Sequence, residues 1–286
     1  MYKYSLDRSS RKYICPQCGK KTFVRYVNNE SNDYLEENIG RCDRESKCKY
    51  HCRPNGNQPI VNIDNLQIFE PEPTFLNFDV VNQSLKNEQH NNFILYLEKH
   101  FSRCQIDEAI KKYFIGNSDH WHGATIFWQI DENNNVRTGK VMLYDTYTGK
   151  RVKKPFPHIN WIHRVYRIKD FVLQQCLFGI HNLNKYGKGD TICIVESGKT
   201  AVIMSIVCPH YLWLATGSKS NFKEKLLKPL KDYNVIVYPD KSEFEDWNKK
   251  AQYLNKKGYN FSCSRFLEDK GDAEGTDLVD LILLEE

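Results

Sequence analysis

Ile192-Cys-Ile-Val-Glu196-Ser-Gly-Lys-Thr200 is an apolar run that ends in one carboxylate and passes into a tight turn of small residues. Further on, Val235-Ile-Val-Tyr-Pro-Asp240 repeats the plan: an apolar run, then an acid. Around them the rhythm is strand, helix, strand, helix. Strands are expected over 191–196, 211–215, 234–239 and 260–266, and helices over 198–207, 221–231 and 243–257. Such alternation argues for a parallel sheet with right-handed crossovers. Ligands of open α/β sheets bind outside the carboxyl ends of the strands, which is where Glu196 and Asp240 would stand. Carboxylate oxygens suit Mg²⁺ or Mn²⁺, and Mg²⁺ keeps several waters and is bound together with substrate phosphates. The chemistry to expect is therefore phosphate chemistry.

The rest of the chain is consistent with that. Its 286 residues are 40% apolar and 27% charged, with 17 Tyr, 15 Phe and 5 Trp, enough for a sizeable core and for more than one domain. The apolar runs are far too short to span a bilayer, and Met1-Tyr-Lys-Tyr-Ser5 has no signal-peptide core. A soluble, cytoplasmic protein with no membrane partner is expected. The net charge of +5 says little, but its distribution says more. From Arg137 to Lys169 there are nine Lys or Arg and a single acid, Asp145, while the chain from Glu268 onward is acidic. A protein that both grips phosphates and holds cations has this asymmetry. A merely solvated basic face is the competing reading.

Upstream of Thr191 the pattern changes twice. Residues 86–112 carry helical spacing. Thr125–Ile130 and Val136–Tyr144 are β-prone, and Asp145-Thr-Tyr-Thr-Gly149 turns into Lys150-Arg-Val-Lys-Lys154. This reads as an antiparallel meander with a basic rim. Arg137, Lys140, Lys150, Arg151, Lys153 and Lys154 are the candidate phosphate contacts. The expected domains are 1–58, an extended linker 59–85 containing Glu70-Pro-Glu-Pro73, a basic α+β region 86–188, and the α/β domain 189–286.

Five of the ten cysteines lie between residues 15 and 52. Cys15-Pro-Gln-Cys18-Gly places two thiolates on one turn, and Cys42 with Cys48 forms a second pair. Four thiolates close a tetrahedral structural zinc site, and the metal would replace a missing core. His51 and Cys52 stand close enough to substitute for a member of the second pair. Arg11, Tyr13, Lys20, Lys21, Phe23, Arg25 and Tyr26 interleave rings and cations around the module. That pattern suits single-stranded nucleic acid, or simply packs the ribbon.

A zinc ribbon, a basic β-rich region and a carboxylate-bearing α/β fold, in that order, resemble the bacterial DnaG-type primases. Their catalytic core is a TOPRIM domain. Arg137 to Arg151 resembles the primase segment in which a basic strand precedes an Asp–Gly turn. Phe171-Val-Leu-Gln-Gln-Cys-Leu-Phe-Gly179 is similar to the short stretch ahead of the TOPRIM strand. Ile194-Val-Glu196 matches the TOPRIM glutamate strand, Leu214-Ala-Thr-Gly217 the strand after it, and Val235 to Asp240 the strand that ends in the metal-binding aspartate. The whole is similar to short primase-like TOPRIM proteins of Bacteroidetes mobile elements. Some positions depart from the pattern. Ser197 stands where the family has Gly, and Thr200 where it has Asp. The family's Asp-x-Asp reads Asp240-Lys-Ser242. Glu243, Glu245 and Asp246 are expected to open a helix, and the spacing of Asp269, Asp272, Asp277 and Asp280 does not match the family's further acids.

The resemblance implies a multi-domain α+β and α/β chain: an N-terminal zinc ribbon, a mixed basic subdomain and a TOPRIM-like domain with a parallel sheet. It also implies metal-dependent nucleotidyl transfer that makes short primers on single-stranded DNA from nucleoside triphosphates. Glu196 and Asp240 would hold Mg²⁺ or Mn²⁺, Lys199 and Lys241 would bind phosphate or mark an inactive site, and zinc would be structural. A helicase or replication initiator would belong to another chain. A degenerate TOPRIM accessory factor of replication or mobilisation, and a TOPRIM nuclease, are the alternatives.

Overall fold

Short strands and long turns make up the first part of the chain. The computed structural model describes residues 3–283 apart from 10, 32, 45–46, 55–71, 87–89 and 271–272, and divides into two units, Met1–Glu72 and Pro73–Glu286. In the first unit β1 (Tyr4–Leu6), β2 (Phe23–Asn28), β3 (Gly40–Cys42) and β4 (His51–Cys52) pair antiparallel in sequence order. Among the described residues its core cluster is Phe23 with Cys15, Cys42 and Cys48, on which Tyr13, Cys18 and Tyr50 pack. The Phe23 ring lies so close over Gly40 that a Cβ there would come within 2.4 Å of it. A core this small needs a further cross-link to be stable.

The second unit opens with α1 (Asp79–Ser84), α2 (Asn92–Leu97) and α3 (Arg103–Tyr113). The expected linker 59–85 is thus corrected at its C-terminal end, while residues 55–71 lie outside the described residues. Val81 is fully buried in a cluster with Ile126 and Trp128, and the Trp128 indole N–H donates to Ser84 Oγ at 2.9 Å. That partner is far away in sequence, so local pattern does not reveal the helix. α2 is capped by the Asn91 side chain, which accepts from the N–H groups of Phe93 and Ile94.

An antiparallel sheet follows: β5 (Ile115–Ser118), β6 (Ala124–Ile130), β7 (Val136–Met142) and β8 (Ile159–Trp161), in that order, with α4 (Ile162–Val165) after it. The basic run 150–154 does not supply the last strand. It joins the sheet by a single bridge, Tyr144 to Arg151. All seven residues of β6 are buried, because both faces of that strand are covered.

The alternating order forms as expected, with two changes of extent: β9 (Thr191–Val195), α5 (Gly198–Val207), β10 (Leu212–Ala215), α6 (Glu224–Leu227), β11 (Asn234–Val237), α7 (Phe244–Asn255) and β12 (Asn260–Cys263, shorter than the expected 260–266), then α8 (Phe266–Lys270) and α9 (Leu278–Ile282). The helix expected over 221–231 is broken into α6 flanked by two 3₁₀ turns, Lys219–Asn221 and Lys228–Leu230, the second with Pro229 in its first turn. The sheet is wholly parallel in the order β10-β9-β11-β12. Ile192, Ile194, Leu214 and Val237 point to one face with Trp247 of α7. Cys193, Val195, Trp213 and Ala215 point to the other, against α3, α5 and α9. Burial on both faces is why these strands read as unbroken apolar runs. Phe93, Ile106 and Tyr113 share this second core with Val195, Val202 and Trp213, so the expected boundary at 188 falls inside one unit. Among the described residues no helix is long and apolar enough to cross a membrane.

Candidate functional site

Cys15 and Cys18 sit on the turn between β1 and β2. Gly19 takes φ 64° there, and its N–H returns to the Cys15 carbonyl at 2.9 Å. Cys42 ends β3, and Cys48 is fixed by its N–H on the Arg44 carbonyl at 2.7 Å. The four sulfurs lie within 4.8 Å of one another. Burial pushes the Cys15 thiol up to about 12. Burial also pushes Cys18 up, but the Lys20 N–H and the neighbouring thiols outweigh it and bring Cys18 down to about 6. Four thiols that cannot all ionise unaided are the donor set that Zn²⁺ deprotonates and closes, so the residues present fit a structural zinc. His51 is not part of the group: its Nε2 lies 3.0 Å from the Tyr26 hydroxyl, and its ring stacks on Tyr26. Cys52 is also outside it. Part of the ring-and-cation pattern packs on itself, with the Arg25 guanidinium 5.3 Å from the Tyr13 ring and 5.1 Å from Tyr34.

In the second unit the chain leaves β9 through α5 towards β10 on one side, and leaves β11 through α7 towards β12 on the other. Connections that diverge from adjacent strands open a crevice at their carboxyl ends. Glu196, directly after β9, and Asp240, three residues after β11, stand at that crevice, both half-buried. Burial, with Asp277, Glu196 and Glu243 nearby, pushes the Asp240 carboxyl up to about 8. Burial and Glu243 raise Glu196 as well, against Lys140, Lys219 and Arg151. An acid held partly protonated by its neighbours is one at which a cation can replace the proton. Carboxylate oxygens are the donors that an ion of the Mg²⁺ class takes.

The positions that depart from the family pattern have other partners. Thr200 donates its hydroxyl to Asp277 Oδ2 at 2.8 Å, and Lys199 Nζ lies 3.7 Å from the same carboxylate. Asp277 Oδ1 accepts the N–H groups of Val279 and Asp280, capping α9. Lys199 is thus buried against Asp277, an arrangement that favours the second of the two roles expected for it, the mark of an inactive site, over phosphate binding. Ser242, at φ 76°, donates its N–H to Glu268 Oε1 at 2.6 Å. Glu243 pairs with Lys219 at 3.3 Å and accepts from the Trp247 indole. Lys241 is joined through its backbone N–H to the Thr276 carbonyl at 3.0 Å. Among the described residues only the four cysteines bring three or more ligand atoms together.

Beside Glu196 lies a cleft of about 300 Å³ between the antiparallel sheet and the start of α5. Gly198 at that start is required: a Cβ would come within 2.8 Å of the Phe127 ring on β6. Lys140 enters the cleft and donates to the Gly217 carbonyl at 2.7 Å. Burial and Arg151 lower its pKa. Arg151 also lines the cleft, while Lys150, Lys153 and Lys154 are exposed on the loop beyond β7. Arg137 is elsewhere: it pairs with buried Asp131 at 2.7 Å and donates to Gln174 at 2.6 Å, so the expectation that it holds phosphate is corrected. Gln129, Phe178 and Ser218 also line the cleft. No local pattern marks them, because they come from separate elements.

Fold and site together define the class: a zinc-ribbon unit joined to an α/β unit in which a cleft lined by Glu196, Lys140 and Arg151 lies beside a parallel sheet. Residues 91–241, more than half of the chain, match the family "Domain of unknown function (DUF6371)", and residues 2–60 match a zinc beta-ribbon finger family. The chain belongs to the DUF6371 family. No curated protein matches it. Among solved structures it is similar to the primase fragment of the bacteriophage T7 primase-helicase protein, at 16% identity over 88% of each chain and a TM-score of 0.40. It is similar to a DnaG primase catalytic domain bound to ssDNA, at 13% identity over 73% of each chain and a TM-score of 0.46. It is also similar to a DnaG catalytic core, at 14% identity over 73% of this chain and 74% of that one, with a TM-score of 0.43.

Proposed function

We propose that the chain is a primase-like nucleotidyl transferase, with a TOPRIM-like site, that makes short primers on single-stranded DNA. The observation that carries this is the Glu196–Asp240 pair at the crevice between β9 and β11, with Asp240 pushed up to about 8 by burial and its acidic neighbours. One Mg²⁺ or Mn²⁺ bound there would orient the α-phosphate of a nucleoside triphosphate and stabilise the charge that develops on it. Glu196 and Asp240 would hold the ion through their carboxylate oxygens and so fix the position of that charge. Arg151 adds positive charge beside them, and Lys140 fixes the Gly217 turn. Lys150, Lys153 and Lys154 hold template phosphates, with strongly salt-dependent binding. A helicase or replication initiator on another chain would deliver the template.

The buried Lys199–Asp277–Thr200 group favours a second reading. An ammonium and a hydroxyl already satisfy Asp277, as a degenerate site that binds nucleic acid without chemistry would have it. One assay separates the two. Single-stranded DNA is incubated with labelled triphosphates and Mg²⁺ or Mn²⁺, using wild type, Glu196→Gln and Asp240→Asn. Metal-dependent oligonucleotides that fall by about two orders of magnitude in both variants support the proposal. In the same preparations Mg²⁺ should raise the melting temperature of the wild type and not of Asp240→Asn. Binding without synthesis supports the accessory reading, and shortened DNA supports a nuclease. Synthesis undiminished in both variants sinks the assignment of the site.

A further inference from the structure

Residues 223–231 hold four lysines and one acid, and residues 249–257 hold four lysines and none. The two segments lead into the amino ends of β11 and β12, and they meet at a hollow of about 470 Å³ lined by Glu224, Lys225, Lys228, Lys231, Lys257 and Tyr259. All four lysines are exposed. Leu226, Leu227 and Leu230 between them are buried in the core against Trp247. The leucines therefore pin α6 and the 3₁₀ turn Lys228–Leu230 to the sheet and turn the lysines outward. Side chains three apart eclipse in a 3₁₀ turn, at about 2.0 Å of rise per residue. Lys225, Lys228 and Lys231 thus stand in a row with steps of about 6 Å. The acids nearby are already taken: Glu224 by Lys257 at 2.5 Å and Asp232 by Lys188 at 2.7 Å. Because the sheet is parallel, this hollow opens at its amino edge, while Glu196 and Asp240 follow the carboxyl ends of β9 and β11. The length of β11 alone, about 13 Å, separates the two places.

We infer that this lysine row is a docking surface for the backbone of double-stranded nucleic acid, separate from the site at Glu196. Lysine is a point charge without the planar fork of arginine. A surface built from it alone responds to phosphate charge and carries no information about base edges. A single strand is held differently, by rings on which its unstacked bases lie. The rings here are engaged: Tyr253 has the Lys257 ammonium 4.5 Å from its centre, and Tyr259, only 8% exposed, has the Lys231 ammonium at 6.0 Å. A duplex keeps its bases stacked inside and presents one negative charge for about every 1.7 Å of its axis. A row of three ammonium groups on a fixed turn meets that density without needing a base. The inference rests on the lysine row and not on the carboxylates.

The test is fluorescence anisotropy of a labelled blunt-ended DNA duplex with the zinc-loaded full chain, without triphosphates or divalent ions, between about 50 and 200 mM salt. Replacing Lys225, Lys228 and Lys231 together by Gln lowers duplex affinity at least about tenfold. It also flattens the plot of log affinity against log salt by about 2.7, the value for three phosphate contacts. Lys228→Gln alone flattens it by about 0.9, and this single variant decides if the triple one does not fold. Replacing the same three lysines by Arg, which keeps the charge, leaves duplex binding as in the wild type. A single-stranded oligonucleotide loses less affinity than the duplex in the triple Gln variant. Duplex affinity and slope unchanged in the Gln variants, or an equal loss for the single strand, overturns the inference. So does displacement of the labelled duplex by tripolyphosphate at equal phosphate, or by polyglutamate at equal charge, as readily as by unlabelled duplex. The first would make the hollow a small-anion site and the second an acidic-protein site. The assay involves no chemistry, so a failure of primer synthesis leaves this inference standing. A failure of duplex binding leaves the proposed function standing.

Discussion

Gly198 holds the first position of α5, and nothing larger fits there. A methyl group would meet the Phe127 ring at 2.8 Å, and that ring is wedged among Phe93, Tyr144 and Phe178. Gly198→Ala should therefore destabilise the second unit by about 1–3 kcal/mol through overpacking, read as a lower urea midpoint with an unchanged slope. It should also push the start of α5 away from β6 and widen the cleft. Glu196 and Asp240 could be recognised in the sequence because each closes an apolar run with a charge. Lys199 could not. A lysine after a strand-ending acid suggests a phosphate ligand. Whether it faces solvent or Asp277 depends on α9, whose first residue lies far down the chain.

The 3₁₀ turn Ile180–Lys185 carries a second kind of constraint. His181 on this turn is buried, with Nε2 3.0 Å from the Lys112 carbonyl at the end of α3. Burial pushes its pKa down to about 4, with only partial opposition from that carbonyl. The unfolded imidazole titrates near 6.5, so between the two values the unfolded chain binds the extra proton. Its contribution to stability is complete above pH 6.5 and is lost as the pH falls through about 4. His163, buried beneath Phe171 and lowered by burial and Arg164, adds to the same fall. Urea midpoints measured from pH 7.5 to 4.5 should decline in the wild type, and His181→Gln should flatten the decline. An unchanged profile would remove His181 from this role. The strand and helix positions after Thr191 follow from period and burial, whereas α1 does not, because Val81 finds its partners on β6.

The two units rest on different forces. The second has two large apolar clusters on the faces of its parallel sheet. The first has Phe23 and a group of cysteines. Removing zinc with a chelator, or replacing Cys18 by Ser, should unfold the ribbon and leave the melting of residues 73–286 in place. Calorimetry of the full chain should then lose one transition and keep the other. A single transition that disappears as a whole would show that the ribbon's metal stabilises the entire chain. The loss of zinc should also weaken binding to single-stranded DNA if the ribbon holds template.

Local information was enough for the zinc ligands, the alternating strands and the two acids at their ends. Cysteine spacing, apolar runs and turn residues act over a few positions, and the chain states them directly. It could not place Asp277 against Thr200 or withdraw Arg137 to Asp131. Nor could it assemble the cleft, since Gln129 comes from β6, Arg151 from the loop beyond β7, Glu196 from the end of β9 and Gly217 from the turn after β10. These groups meet because the antiparallel sheet packs against the start of α5. That packing is driven by apolar burial, which is non-directional and leaves no mark on the polar residues it brings together.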